Sequence, residues 1–137
     1  MGISKIWVFG EANEAGASAG TLELLTKART LADTVEVVMV GDASAVAGDL
    51  GAHGATTIHT IADADGALPG ARVASAIAGA LEAGTGPDVL LATTSYDGRD
   101  VAGRLSAKVD RPVLTNVVDL VVDGDRLLCS EPVFGGT

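Results

Sequence analysis

Thr93, Thr94 and Ser95 place three hydroxyls in a row, and Tyr96, Asp97, Gly98, Arg99 and Asp100 follow at once. Hydroxyls, a glycine that lets a backbone come close, and one guanidinium near a helix start are groups that hold a phosphate. Thr94, Ser95, Gly98 and Arg99 are therefore the candidate nucleotide ligands. The two carboxylates argue the other way. Asp97, read as the N-cap, would accept a backbone N–H for about 1 kcal/mol. Asp100, near the third helical position, would add a favourable term with the helix dipole. Together they fill the role of a phosphate, so the residues favour a capped helix start over a nucleotide loop.

Other constellations are weaker. The loop GEANEAGASAG (10–20) is rich in Gly and Ala and leads into a helix, but Gly20 is followed by Thr21 and Leu22 with no Lys, so the P-loop pattern fails. The GxGxxG dinucleotide pattern is missing too, and Glu11 and Glu14 would repel an anion from the helix end. A plain crossover is the expectation there. Ser95 has no His nearby in sequence and no GxSxG elbow surrounds it, so no nucleophile and base can be paired. His53 and His59 have no Cys or acidic partner at metal-ligand spacing, which predicts exposed or edge positions and no metal site. The single cysteine, Cys129, excludes an internal disulfide, and Leu127 and Leu128 beside it predict a small buried hydrophobe.

Formal net charge is −9 in 137 residues, with the nine Lys and Arg scattered singly. Nucleic acid and anionic membrane surfaces are disfavoured partners. Aromatic residues are only 3% of the chain, which leaves no platform for stacking bases. No apolar run approaches the ~18–20 residues of a membrane span, and MGISKIWVFGE enters a strand without the apolar stretch of a signal peptide. The expectation is a soluble cytoplasmic protein.

The elements that must position these residues follow from apolar patterning. Five runs rich in β-branched residues, 6–9, 35–40, 56–61, 88–94 and 111–122, alternate with segments of helical spacing. That alternation predicts an α/β domain with a mainly parallel sheet. Leu22, Leu25, Ala28 and Ala32 mark a first helix with Ser18 or Thr21 as its N-cap and an end near Asp33. Asp42 is expected to cap a second helix carrying Val46 and Leu50. A third follows Leu68-Pro69-Gly70, with Val73, Ile77, Ala80 and Leu81 buried. The fourth runs from Asp97 or Gly98 to about Val109 on Val101 and Leu105. Near the C-terminus, Asp123-Gly124-Asp125 between two β-rich runs predicts an antiparallel hairpin. The closing PVFGGT reads as a linker leading onward.

Over TTSYDGRDVAGRLSAKVDRPVLTNVVDL (93–120) the chain resembles the N-terminal domain of the alpha subunit of electron transfer flavoproteins. The likeness extends to IWVFGE as first strand, the S-x-D-G-R-D turn with Arg104 in the next helix, the Pro-x-x-T-N strand and the terminal PVFGGT. It implies a three-layer α/β sandwich of the adenine-nucleotide-hydrolase-like type, spanning 1–137, with an FAD-binding domain expected after 137. It implies a heterodimer with a beta subunit, an electron carrier and not an enzyme. FAD in that carrier takes electrons from dehydrogenases, such as those of fatty acid oxidation, and passes them to a quinone reductase or another acceptor. No cofactor is expected on this segment, whose implied role is scaffold and subunit docking. In the family's beta subunit the loop matching TTSYDGRD helps hold AMP. The competing reading is a stand-alone adenine-nucleotide-binding domain of the universal-stress-protein type, with nucleotide near Thr94, Ser95 and Arg99.

Overall fold

The structure, a computed structural model, describes residues 3–62, 69–111, 113–114, 119–123 and 126–130. Chain order is β1 (Ile3–Phe9), β2 (Ala12–Asn13), β3 (Gly16–Ala17), α1 (Ala19–Ala28), β4 (Ala32–Val40), α2 (Ala47–Ala52), β5 (Thr57–Ile61), α3 (Gly70–Glu82), β6 (Val89–Leu91), α4 (Tyr96–Val109), β7 (Asp119–Asp123) and β8 (Arg126–Ser130).

Four of the apolar runs form one parallel sheet in the order β5-β4-β1-β6. Ile6 lies opposite Val35 on one side and Val89 on the other, and Val8 lies opposite Val37 and Leu91. Successive side chains alternate between faces. Ile6, Val8, Val35, Val37 and Met39 pack with Leu25 and Ala28 of α1 and Leu50 of α2. Trp7, Phe9 and Val38 pack on the other face with Val73, Ala74 and Ile77 of α3 and Val101 and Leu105 of α4. Helices therefore cover both faces, as a parallel sheet requires. Each such valine, leucine or isoleucine contributes about 1.5–3 kcal/mol when fully buried.

Among the described residues the fifth run joins no parallel ladder; β7 pairs antiparallel with β8, Val122 opposite Leu127. Val122 and Leu127 close over the α1 face, and Lys27 Nζ meets Asp119 Oδ1 at 3.0 Å. Gly124, Asp125, Thr115, Asn116, the 132–137 segment and the Cys129 side chain lie outside the described residues.

Several local expectations are corrected. The loop after β1 is a small antiparallel hairpin, β2 with β3, in place of a plain crossover. Its turn is closed by Ala15 N–H donating to Asn13 Oδ1 at 2.8 Å, and it exits through Gly16 at φ 124°. Helix α1 stops at Ala28, and Ala32 already belongs to β4. Asp42 does not cap α2; it accepts from Ser44 N–H at 2.9 Å, and the helix starts at Ala47 behind Val46 without a side-chain cap. Helix α4 ends at Asp110 in the left-handed conformation, φ 53° and ψ 48°, which Asp tolerates better than most residues.

Candidate functional site

The sheet order reverses beside β1: the chain winds outward through β4 and β5, then returns to place β6 on β1's other side. In open α/β sheets the crevice beyond the strand ends at such a reversal is where ligands bind. Glu11 leaves the end of β1, and Thr93 and Ser95 follow the end of β6, so all three meet there. The candidate loop thus stands at the topologically expected place.

A side chain of the protein occupies that place. Glu11 Oε1 accepts hydrogen bonds from Thr93 Oγ1 at 2.6 Å and from Ser95 Oγ at 2.8 Å. Thr93 Oγ1 also lies 3.2 Å from Ser95 Oγ. The backbone of Glu11 is fixed as firmly: its N–H donates to Thr21 Oγ1 at 2.9 Å, and its carbonyl accepts from Ser18 N–H at 2.8 Å. Ser18 in turn caps α1, and Thr21 is fully buried. One residue thereby ties the first turn of α1 to the first turn of α4.

Ser95, and not Asp97, is the N-cap of α4. Its Oγ accepts from Gly98 N–H at 3.0 Å while donating to Glu11. Asp97 sits in the first turn, half-buried. Gly98 is buried because the Thr93 carbonyl oxygen lies where a Cβ would stand. The expected close backbone approach is therefore real, but it is made by the protein's own chain. Gly20 does the same for α1, since a Cβ there would be 2.6 Å from the Thr93 methyl. Asp100 is not a dipole partner at the third position. It lies one turn in, where Oδ1 accepts from Arg104 Nε at 2.9 Å and Oδ2 is buried against Gly70 without a hydrogen-bond partner.

The four candidate ligands therefore separate. Ser95 and Gly98 are engaged in the cap, while Thr94 and Arg99 are exposed. Glu11 is the member that the sequence does not place here, and Thr93, one of the three loop hydroxyls but not among the four candidate ligands, joins it. An anion beside two helix starts is electrostatically favoured, and here the anion is a carboxylate supplied in cis. Ser95 has both its donor and its acceptor capacity in use. Neither described histidine lies near it: His53 closes α2, with Nδ1 2.8 Å from the Asp49 carbonyl, and His59 is on β5.

His59 belongs to a second cluster on the α3 face of the sheet. Glu36 Oε1 accepts from Trp7 Nε1 and lies within hydrogen-bond distance of His59 Nε2, both at 2.9 Å, and the two rings stack with centroids 4.5 Å apart. Burial opposes ionisation of Glu36, yet the His59 hydrogen bond, the charges of Lys5 and His59, and the Trp7 N–H outweigh it and hold the carboxyl below its ordinary range. The edge position predicted for His59 is correct, though the side chain is engaged there.

The electron transfer flavoprotein domain model matches residues 6–137. The chain belongs to that family. The alpha subunit of electron transfer flavoprotein from Mycobacterium tuberculosis is 31% identical over 141 residues, covering 98% of this chain and 42% of the relative. The alpha subunit from Syntrophomonas wolfei is 26% identical over 133 residues, 95% and 41% of the two chains. Protein FixB of Clostridium saccharobutylicum is 26% identical over 137 residues, 96% and 41%. The chain spans about two fifths of the length of the curated relatives it matches. Within this electron transfer flavoprotein domain the motif residues have structural places: IWVFGE leads from β1 into the crevice, and Arg104 is held on α4 by Asp100. No helix among the described residues is long and apolar enough to cross a membrane.

Proposed function

We propose that the chain is the N-terminal scaffold of an electron transfer flavoprotein alpha subunit, a cytoplasmic domain that docks a beta subunit and carries no cofactor of its own. FAD then belongs to a domain following residue 137, and the assembled carrier takes electrons from flavin dehydrogenases, such as acyl-CoA dehydrogenases, and delivers them to a quinone reductase or another acceptor. The observation that supports the cofactor-free reading is Glu11. Its carboxylate fills the crevice at the reversal of strand order and engages both loop hydroxyls. A phosphate entering there would meet a negative charge and would have to displace two hydrogen bonds.

The same observation weighs against a stand-alone adenine-nucleotide-binding domain. Only Thr94 and Arg99 remain exposed to meet a nucleotide, and the chain's net charge of −9 disfavours its approach. Co-expression with a beta subunit tests the scaffold reading. A stable complex of the two chains supports it, and a beta subunit that fails to co-purify contradicts it.

A further inference from the structure

We propose that the outer face of α4 docks an acidic segment of a partner protein. Four of the nine Lys and Arg in this acidic chain, Arg99, Arg104, Lys108 and Arg111, lie on this helix or just beyond it, all exposed. Of the acids in the same stretch only Asp110 is fully exposed; Asp97 is half-buried, and Asp100 is consumed by Arg104 and by its contact with Gly70. Arg104 is held through Nε alone, with its side chain 51% exposed, which leaves the far end of the guanidinium in solvent. The Ser106 hydroxyl donates to the Arg111 carbonyl, fixing the backbone where the helix ends. No ion pair among the described residues neutralises Arg99, Lys108 or Arg111.

The shape of the face gives a second reason. Tyr96, Gly103 and Ala107 share one exposed stripe at helical spacing, with Tyr96 70% exposed. Glycine is among the poorest residues in a helix interior, and at Gly103 the fold supplies no reason for it: an added Cβ would meet no atom within 4 Å. A partner backbone lying in that lane supplies one, since glycine is used where another chain must come close. Gly79 of α3 is open in the same way, but no exposed cation row flanks it. Tyr and Arg are also the residues that most often dominate binding energy at interfaces. The lane between Arg99 at one end and Arg104, Lys108 and Arg111 along one side fits an extended or helical segment rich in Glu or Asp.

The test uses the full-length protein and a fluorescein-labelled helical peptide of Glu- and Ala-containing repeats, with a Gln-for-Glu peptide as control, read by anisotropy. The acidic peptide binds and the Gln peptide does not. Combining Arg99→Glu with Lys108→Glu weakens binding by about tenfold or more, the scale of two or three exposed charge contacts. Gly103→Leu weakens it comparably while melting at or above the wild-type temperature, which separates a blocked lane from a damaged fold. An acidic peptide that fails to bind the wild-type protein, or binds both variants equally, overturns the proposal. So does tighter binding of single-stranded DNA or of phosphatidylserine vesicles than of the peptide.

Discussion

Glu11 and Ser95, 84 residues apart in the chain, share a 2.8 Å hydrogen bond beyond the ends of neighbouring parallel strands, and through it a carboxylate meets the first turn of α4. Removing the carboxylate takes the acceptor from the Ser95 hydroxyl and leaves the Thr93 hydroxyl with only the longer 3.2 Å contact to Ser95 Oγ. Glu11→Ala should therefore cost roughly 1–2 kcal/mol in urea unfolding, with Glu11→Gln milder because its amide oxygen can still accept. A loss within error for Glu11→Ala would show that the bonds contribute nothing net.

The cap of α4 gives a sharper contrast. Ser95→Ala should destabilise by about 1 kcal/mol, since it frees the Gly98 N–H. Asp97→Asn removes only a dipole contribution and should cost about 0.3 kcal/mol. The reverse order in thermal unfolding would restore Asp97 as the cap.

Glu36 should contribute to acid sensitivity. Its carboxyl is depressed in the folded protein, so its contribution is present above the unfolded value of about 4.3 and is lost as pH falls through the lower folded value. Trp7, the only tryptophan, donates to that carboxylate and reports the change by fluorescence. Glu36→Gln should flatten the acid limb of the stability profile. An unchanged limb would place the titration elsewhere.

Gly103→Ala should raise stability by about 0.5–1 kcal/mol, because the site is exposed, helical and free of clashes. A decrease in the melting temperature would contradict the open space around Gly103.

What was legible in the sequence was local. Strands buried on both faces read as continuous apolar runs, so 6–9 and 35–40 each fall within a strand; of 56–61, residues 57–61 form the edge strand β5, and Ser18 is a candidate cap for α1 from the sequence. The start of β4 at Ala32 was hidden because Ala and Asp have little strand propensity, and pairing with Ile3 overrides it. In sequence Glu11 is a charge that repels anions, which is half of its role. Its bonds to Thr93 and Ser95 cross more than 80 residues, and only the strand order brings them together. Asp97 reads as the cap because a carboxylate there would accept a backbone N–H, but Ser95 has the extended backbone a cap needs, φ −63° and ψ 165°. The hairpin was announced by its Asp-Gly-Asp turn, whereas the face it covers depends on Val122 and Leu127 meeting the α1 layer.

Nucleotide titration checks the crevice directly. Calorimetry with AMP or ATP should show no saturable heat, and Arg99→Ala should change nothing. Saturable binding that Arg99→Ala removes would revive the nucleotide-binding reading.

The proposed scaffold serves a flavin carrier whose flavin is held elsewhere. The flavin absorbance of complexes purified with the beta subunit tests it most directly, one built on residues 1–137 and one on the full-length alpha chain. The full-length complex should be yellow and the 1–137 complex colourless. Stoichiometric flavin absorbance in the 1–137 complex would contradict it.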